Sequence, residues 1–574
     1  MFFDIEVNNK IIKARQGETI LQALSRNGIK VPTLCYMEDF TPTGACRMCV
    51  VEVEGMNDLA PACSHPVEEW MKIKTHSPMV VKARKTNLEL LLANHPDDCL
   101  YCVRNGNCEL QKLAAELDVK ERRFVGKRNK YKTDPSSPSI VHEPEKCILC
   151  GRCVRICEEV IGVSTLEFVR RGDSTSVSTA NEKPLNLSNC ITCGQCIMVC
   201  PASAFYEKTH LPELQESLHN PKLHTVLHYS PAISVTLAEE FGLKAGKDIS
   251  GLLNAALRKI GFNRVFDTSF AADLNIMELA DEFIKRLEAD QNLPMFSSCC
   301  SSWVKFIEQY SPEMLHHLSA CKSPQQMMGA IVKSYYAESE NLKPEEIYSV
   351  SVMPCTAKKF EAQREEMTHK CITDVDAVLT TRELAKLIRL YGIDFHHNEP
   401  ELPDMPMGTR SSAGKLYGAS GGLTEALIRT LHYRITSKEI TQFKITEARQ
   451  VKGRKEFKFK IGQYELGFAI ISGLVNVKDL LKDIKEGKTN LHFVEVMACP
   501  GGCINGGGQP IPADPTAVKA RAKTLYEIDE KDSIKASHKN PMVLDLYQMF
   551  LKEPGSDKCK TLLHTKYTPR DVLL

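Results

Sequence analysis

Two runs of identical spacing, CILCGRCVRIC at 147–157 and CITCGQCIMVC at 190–200, constrain this chain more than any other feature. Both read C-x2-C-x2-C-x3-C, and together they form the one clear internal repeat. Thiolates this close together, without the paired histidines of a zinc finger, favour iron-sulfur clusters over zinc. The first run departs in one respect, because Glu158 follows it where Pro201 follows the second.

The 574 residues carry 23 cysteines. In a short secreted protein that number implies disulfides; in a long chain without a signal peptide, C-x2-C clustering points to metal. A chain of this length exceeds one hydrophobic core, and roughly three to five units are expected. Lys+Arg of 73 against Asp+Glu of 72 gives a net charge of +1, with no basic block dense enough to track a phosphate backbone. Nucleic acid is therefore excluded as a partner. The N-terminal MFFDIEVNNKIIKARQGET alternates apolar and polar residues like a strand, has no apolar targeting core, and precedes no stretch of membrane-spanning length. A soluble, cytoplasmic protein with no membrane partner is expected.

The fold class expected is multidomain, α/β and α+β, with units at 1–80, 81–126, 127–209 and 210–574. In the first, FFDIEV and KIIKAR read as strands and ETILQALSRNG as a helix. Cys35, Cys46, Cys49 and Cys63 follow as C-x10-C-x2-C-x13-C. That module resembles the β-grasp ferredoxin domain of complex I and of hydrogenases, which implies one 2Fe-2S cluster on these four thiolates. A zinc ribbon is the alternative. A helix over VVKARKTNLELLLANHP then leads to His95, Cys99, Cys102 and Cys108, spaced H-x3-C-x2-C-x5-C. The set resembles the His-ligated 4Fe-4S site of the same families, where neutral imidazole makes the cluster less negative and raises its potential.

The repeat resembles a bacterial two-cluster ferredoxin, in which the fourth cysteine of each run ligates the other cluster. The resemblance implies Cys147, Cys150, Cys153 and Cys200 on one 4Fe-4S cluster, and Cys190, Cys193, Cys196 and Cys157 on the second.

Beyond 210 no cysteine occurs until 299, and amphipathic helices alternate with apolar strands. HTVLHY, RVFDTSFAADL, PMFSSCC, IYSVSVMPC and HFVEVMAC each read as strand then turn, the last three ending on a thiol. An α/β region with ligands at the C-terminal ends of strands is inferred. GASGG at 418–422 and GGCINGGG at 501–508 permit close backbone approach to a bulky inorganic group. The second fails as a phosphate loop, since no Lys-Ser/Thr pair follows.

FSSCCSSW, MPCTAKKFE and VMACPGGCINGGGQP together resemble the sequence signature of the FeFe-hydrogenases, and the whole chain resembles the monomeric clostridial type with three accessory 4Fe-4S clusters and one 2Fe-2S cluster. The active site implied is the H-cluster in a two-lobed α/β domain: a 4Fe-4S cubane joined to a two-iron unit that carries CO, cyanide and an amine dithiolate. By this resemblance Cys300, Cys355, Cys499 and Cys503 hold the cubane, and Cys503 bridges to the two-iron unit. Cyanide ligands are anionic acceptors, so a buried cation and amide donors are expected, and Lys358 and Gln325 match those positions, with Glu361 orienting the lysine. Pro231, Ser323, Met353 and Met497 also match pocket positions.

Protons need a separate route. The resemblance implies that Cys299, next to a ligand, exchanges a proton with the dithiolate amine, and that Ser319, Glu282 and Arg286 continue the relay. The first glutamate of that relay is replaced by Leu279, which carries no proton. Water, Glu278 or Asp281 would have to serve, or delivery is slow. Further departures surround the pocket: Ser301, Ser302, Ser230, Ala232 and Tyr417 stand where the family has other residues. The hydroxyls of the three serines and of Tyr417 offer new hydrogen bonds to cyanide, CO or cubane sulfurs, so an altered rate or directional bias is expected. Cys321, Cys371 and Cys559 have no partner spacing and read as structural. The tail beyond 510 reads as helical and polar, wrapping the catalytic region.

Three functions fit: a hydrogenase exchanging electrons with ferredoxin or flavodoxin, the catalytic subunit of an electron-bifurcating NAD(P)-linked hydrogenase, or a hydrogen-sensing or non-enzymatic relative. No nucleotide fingerprint occurs, so the second would need partner subunits. Dihydrogen and protons are the implied substrates, and maturation proteins would install the two-iron unit.

Overall fold

The computed structural model describes residues 1–571 apart from 127, 442 and 513. Strands β1 (Phe2–Val7) and β2 (Lys10–Arg15) pair antiparallel across Asn8 and Asn9. Both turn residues have positive φ, 50° and 63°, which a two-residue primed hairpin requires and asparagine tolerates. Helix α1 (Ile20–Arg26) starts in a capping box between Thr19 and Gln22. With β3 (Val50–Val53), β4 (Ala60–Pro61) and β5 (Lys72–Lys74) the sheet order is β2-β1-β5-β3-β4, with β1 and β5 parallel. Ile5, Val7, Leu21, Leu24 and Val51 close the core between sheet and helix, a β-grasp arrangement.

Helix α2 (Pro78–Ala93) begins at the Ser77 cap with proline in its first turn, and α3 (Glu109–Glu116) follows the second cysteine loop. Strands β6 (Ile140–His142) and β7 (Phe205–Glu207) pair antiparallel around the repeat. Within it, α4 (Arg152–Arg155) and α5 (Gln195–Val199) start after Gly151 and Gly194, both left-handed at φ 71° and 72°. The sequence repeat is thus also a backbone repeat.

The remaining chain builds two sheets. Strands β8 (His224–Tyr229), β9 (Arg264–Asp267), β11 (Ile347–Met353) and β12 (Ala377–Thr380) form one all-parallel sheet in the order β9-β8-β11-β12. Strands β10 (Met295–Phe296), β13 (Gly453–Ile461), β14 (Tyr464–Ser472) and β15 (Phe493–Met497) form the other, ordered β10-β15-β14-β13. Both β10 and β14 run parallel to β15, and β13 is antiparallel to β14. All five residues of β15 are buried, as parallel strands covered on both faces must be.

Helix α6 (Ser269–Ala289) is buried without interruption from Ser269 to Asp281, so it is a central helix. It begins two residues after β9, where a turn was expected over TSFAADL. The tail also differs from the polar wrap its composition suggests. Val543, Leu546, Tyr547, Leu551, Cys559 and Leu563 enter the same apolar core as α6, because polar residues on the outer face mask the inner stripe. Among the described residues no helix is long and apolar enough to cross a membrane.

Candidate metal centre and its approaches

Three loops that follow parallel strands bring the central thiols together. Cys299 and Cys300 follow β10, Cys300 capping α7 (Ser301–Tyr310). Cys355 lies between β11 and α8 (Ala357–Ala362), and Cys499 and Cys503 follow β15. Burial pushes all four candidate ligand thiols up, Cys355 and Cys503 to about 12, and at Cys355, Cys499 and Cys503 the neighbouring thiols add to the effect. Such thiols give up protons only to a strong cationic partner, which is the chemistry of a metal-cluster ligand set.

The glycines around Cys503 are sterically required. A Cβ on Gly502, whose φ is +94°, would lie 2.5 Å from the Ser420 nitrogen. One on Gly506 would lie 2.2 Å from the Pro354 oxygen, and one on Gly507 2.2 Å from the Cys193 oxygen. The loop therefore presses against the Cys355 segment and the second cysteine run together.

Beside the thiols sits a buried polar group. The Lys358 ammonium donates to Glu361 Oε2 at 2.8 Å and to the Cys299 carbonyl at 3.0 Å. Glu361 also accepts from Ser301 Oγ and Ser323 Oγ, both at 2.8 Å, and from Gln325 Nε2 at 3.2 Å. Burial would lower Lys358, but Glu361 overrules it and holds the ammonium above its ordinary value. Met353 and Met497 are buried alongside, as are Ser230, Pro231 and Ala232 in the loop after β8.

Two hydroxyls expected to face inorganic ligands are engaged by protein instead. Ser301 donates to Glu361, and the Tyr417 hydroxyl donates to Asn275 Oδ1. The short reach of serine and the Asn275 carbonyl behind Tyr417 explain both. Ser302 Oγ is buried without a hydrogen-bond partner.

On α6, Glu282 Oε2 accepts from Ser319 Oγ at 2.6 Å, and Glu282 Oε1 accepts from Arg286 at 2.6 Å. These three residues form a continuous chain reaching the partly exposed Arg286. Leu279 is 2 % exposed within the apolar core. Glu278 points toward the tail, where it accepts from Tyr547 at 2.6 Å and from His564 at 2.8 Å. Asp281 pairs with Lys285 and Arg434.

The accessory sets are compact. The free thiol of Cys35 lies within interaction distance of those of Cys46 and Cys63, and that of Cys49 within interaction distance of that of Cys63. His95 Nδ1 contacts the Pro96 carbonyl at 2.9 Å, while its buried Nε2 has no partner, as an imidazole poised to ligate requires. Cys99 is exposed, and Cys102 and Cys108 are half-buried. Cys157, Cys190, Cys193 and Cys196 line one internal cavity. Cys147, Cys150, Cys153 and Cys200 lie together, each of the first three pushed up by burial. Backbone amides donate to sulfur at Cys147, Cys157, Cys190 and Cys200, at 3.2 to 3.4 Å, as amides do toward anionic sulfur ligands. Among the described residues no trio of His, Cys, Asp or Glu closes on a single metal ion.

Sequence reasoning missed the residues that join these sets. Arg155 donates to the Cys35 and Thr41 carbonyls, Arg104 to the Cys200 carbonyl, and Gln195 Nε2 to Cys499 Sγ at 3.1 Å. The buried Arg382–Glu207 pair, at 2.8 Å, clamps the second cysteine run to the catalytic region. Their partners are distant in sequence, so no local pattern announces them. The three leftover cysteines also diverge: Cys321 and Cys559 are fully buried, whereas Cys371 is exposed in a turn.

Residues 223–507 match the family described as iron only hydrogenase large subunit, C-terminal domain, and residues 515–570 match iron hydrogenase small subunit. Residues 3–78 match a 2Fe-2S iron-sulfur cluster binding domain, 84–123 the iron-sulfur binding region of NADH-ubiquinone oxidoreductase G, and 137–206 the ferredoxin-like domain of NADH-quinone oxidoreductase subunit 3. The chain is 42% identical to the NADP-reducing hydrogenase subunit HndD of Solidesulfovibrio fructosivorans, covering 99% of both chains. It is 37% identical to iron hydrogenase 1 of Clostridium pasteurianum, over 98% of this chain and 99% of that one. An apo FeFe-hydrogenase structure from Chlamydomonas reinhardtii superposes with a TM-score of 0.58 at 34% identity, over 63% of this chain and 99% of that one.

Proposed function

The chain belongs to the FeFe-hydrogenase family, and on that premise we propose how its own residues divide the work of making or consuming dihydrogen. It is a hydrogenase with 2Fe-2S and 4Fe-4S domains. The H-cluster, when bound, supplies the redox chemistry that interconverts two protons and two electrons with dihydrogen. Cys300, Cys355, Cys499 and Cys503 would hold its cubane. Lys358, kept charged by Glu361, would offer its remaining donor capacity to the cyanide ligands, and Gln325 and Ser323 fix that carboxylate. Cys299 hands protons to and from the reacting centre, with Ser319, Glu282 and Arg286 as the outward chain.

Cys35, Cys46, Cys49 and Cys63 would hold one 2Fe-2S cluster, and the His95 set and the two crossed cysteine sets three 4Fe-4S clusters, which would supply the electron path. The single observation that carries this reading is the meeting of three strand-end thiol loops at a buried Lys358–Glu361 pair. Hydrogen evolution from a reduced viologen dye by anaerobic, fully assembled protein tests it. Sustained turnover that Cys503→Ser abolishes supports the reading; absence of turnover at full iron loading overturns it.

For the physiological partner, ferredoxin or flavodoxin is the first reading. A second, in which partner subunits bring NADP chemistry, is favoured by the 42% identity to a relative named as an NADP-reducing hydrogenase subunit. Tagged protein purified anaerobically from its native cell discriminates them: comigrating flavin-bearing subunits support the second, and a lone chain that reduces ferredoxin with dihydrogen supports the first. Installation of the two-iron unit by maturation proteins belongs to the same proposal.

A further inference from the structure

Helix α7 runs from the catalytic thiols to the second cysteine run. Cys300 caps its N-terminus, and the hydroxyl of its last residue, Tyr310, accepts from Asn189 Nδ2 at 2.6 Å, one position before Cys190. Ten residues at 1.5 Å each make that span about 15 Å. Between its ends Trp303, Val304 and Ile307 pack in one apolar cluster with Cys157, Cys193 and Cys300 against it.

One buried cation on this helix has no anion. Lys305 is 6 % exposed, and its ammonium lies 4.5 Å from the centre of the Phe360 ring on α8. Two arginines share that ring, Arg364 at 5.6 Å and Arg570 at 5.3 Å, and two carboxylates stand with them, Glu308 and Glu366. Both carboxylates go to the arginines. Arg364 pairs with Glu308, and with Glu366 at 2.7 Å; Arg570 pairs with Glu308 at 2.8 Å and with Glu366 at 3.5 Å. Among the described residues the Lys305 ammonium has neither an ion pair nor a hydrogen bond, only the ring. Three residues earlier, on the same helix face, Ser302 Oγ is also buried without a partner. A cation out of water without a counter-ion is strongly unfavourable, so this face of α7 is built for an acceptor that protein atoms do not supply.

We propose that the Lys305 ammonium is the counter-charge of the accessory 4Fe-4S cluster on Cys157, Cys190, Cys193 and Cys196, and that it raises the reduction potential of that cluster. Burial lowers the Lys305 ammonium, and Cys190 is the first of the charges that hold it up; in return Lys305 is the charge that most draws down the buried Cys190 thiol. The reduced cluster carries one more negative charge than the oxidised one, so a fixed cation in a low-dielectric site favours reduction. The same cysteine run meets the catalytic region, where Gln195 Nε2 donates to Cys499 Sγ at 3.1 Å. An electron favoured at this set therefore waits next to the site that consumes two. Lys305 touches no reacting atom and acts through the cluster; the inference rests on the ligand set proposed for it.

Anaerobic redox titration of assembled holoenzyme, read by electron paramagnetic resonance with iron content as the check on assembly, tests this. Cys190→Ser marks the signal of the cluster concerned. Lys305→Met keeps the volume and removes the charge, and in it the equilibrium constant for reducing that cluster should fall about tenfold, a shift of about 59 mV to more negative potential. The other accessory signals should stay where they are. Lys305→Arg, which keeps the charge, should hold the wild-type potential, and Lys305→Gln repeats the neutral case with a polar side chain. Loss of the marked signal from both neutral variants, with the arginine variant intact, also supports the counter-charge. A marked potential equal in the wild-type and methionine proteins overturns the inference and leaves the ligand set standing, as do equal shifts in the methionine and arginine variants. A Cys190→Ser protein that keeps every wild-type signal overturns both.

Discussion

Lys358 and Glu361 lie one helical turn apart on a six-residue helix, and their Nζ–Oε2 distance is 2.8 Å with both side chains buried. The carboxylate gathers four donors, Lys358, Ser301, Ser323 and Gln325, from three separate segments. It is the polar hub beneath the candidate two-iron pocket.

Glu361→Gln keeps the shape and removes the charge, leaving a buried ammonium without its counter-ion. Breaking a buried pair on one side costs about 3 kcal/mol. Denaturant unfolding should show that loss, and the Lys358 pKa should fall because burial then loses its main opponent. Stability equal to wild type would deny the pair its electrostatic role.

Gln195→Leu removes the 3.1 Å amide donor to Cys499 Sγ. A hydrogen bond to an anionic ligand stabilises the reduced state, so its loss should move the potential of the cluster on Cys499 in the negative direction. The shift should correspond to about 1 kcal/mol, one net hydrogen bond. Redox titration followed by electron paramagnetic resonance reads it, and an unmoved potential refutes it.

Gly502→Ala forces a side chain into the left-handed region and drives its Cβ to 2.5 Å from the Ser420 nitrogen. The backbone strain alone is about 1–2 kcal/mol. The Cys499–Cys503 loop should shift, and iron content should drop while the accessory-cluster signals persist. Wild-type iron content would show that the loop tolerates the methyl group.

His228 predicts a pH dependence of stability. It is 0 % exposed, and burial lowers its pKa to about 3 from an ordinary 6.5, so the folded state stays neutral where the unfolded chain binds a proton. Its contribution is complete above pH 6.5 and is lost as pH falls from there toward about 3. At pH 5 the loss is about 2 kcal/mol. His228→Asn should flatten this part of the profile between pH 7 and 5 in paired unfolding experiments; parallel profiles would contradict it.

The cysteine spacings, the apolar strands before three of the thiol segments and the glycine runs were all legible in the chain, because they are local. A thiol two residues past a buried strand lies at the C-terminal edge of a sheet whatever the rest of the fold does, and a spacing such as C-x2-C-x2-C is a property of contiguous backbone. The family signature was legible for the same reason. Only the folded chain decided which polar atoms those groups meet. Ser301 and Tyr417 read as donors to inorganic ligands, and the structure gives their hydroxyls to Glu361 and Asn275. Cys321 read as inert packing and lies against Glu282, 39 positions away. The tail read as polar and closes the core around α6. Hydrogen bonds and burial depend on distances between segments hundreds of residues apart, and side-chain direction over a few ångströms is fixed by close packing rather than by sequence pattern.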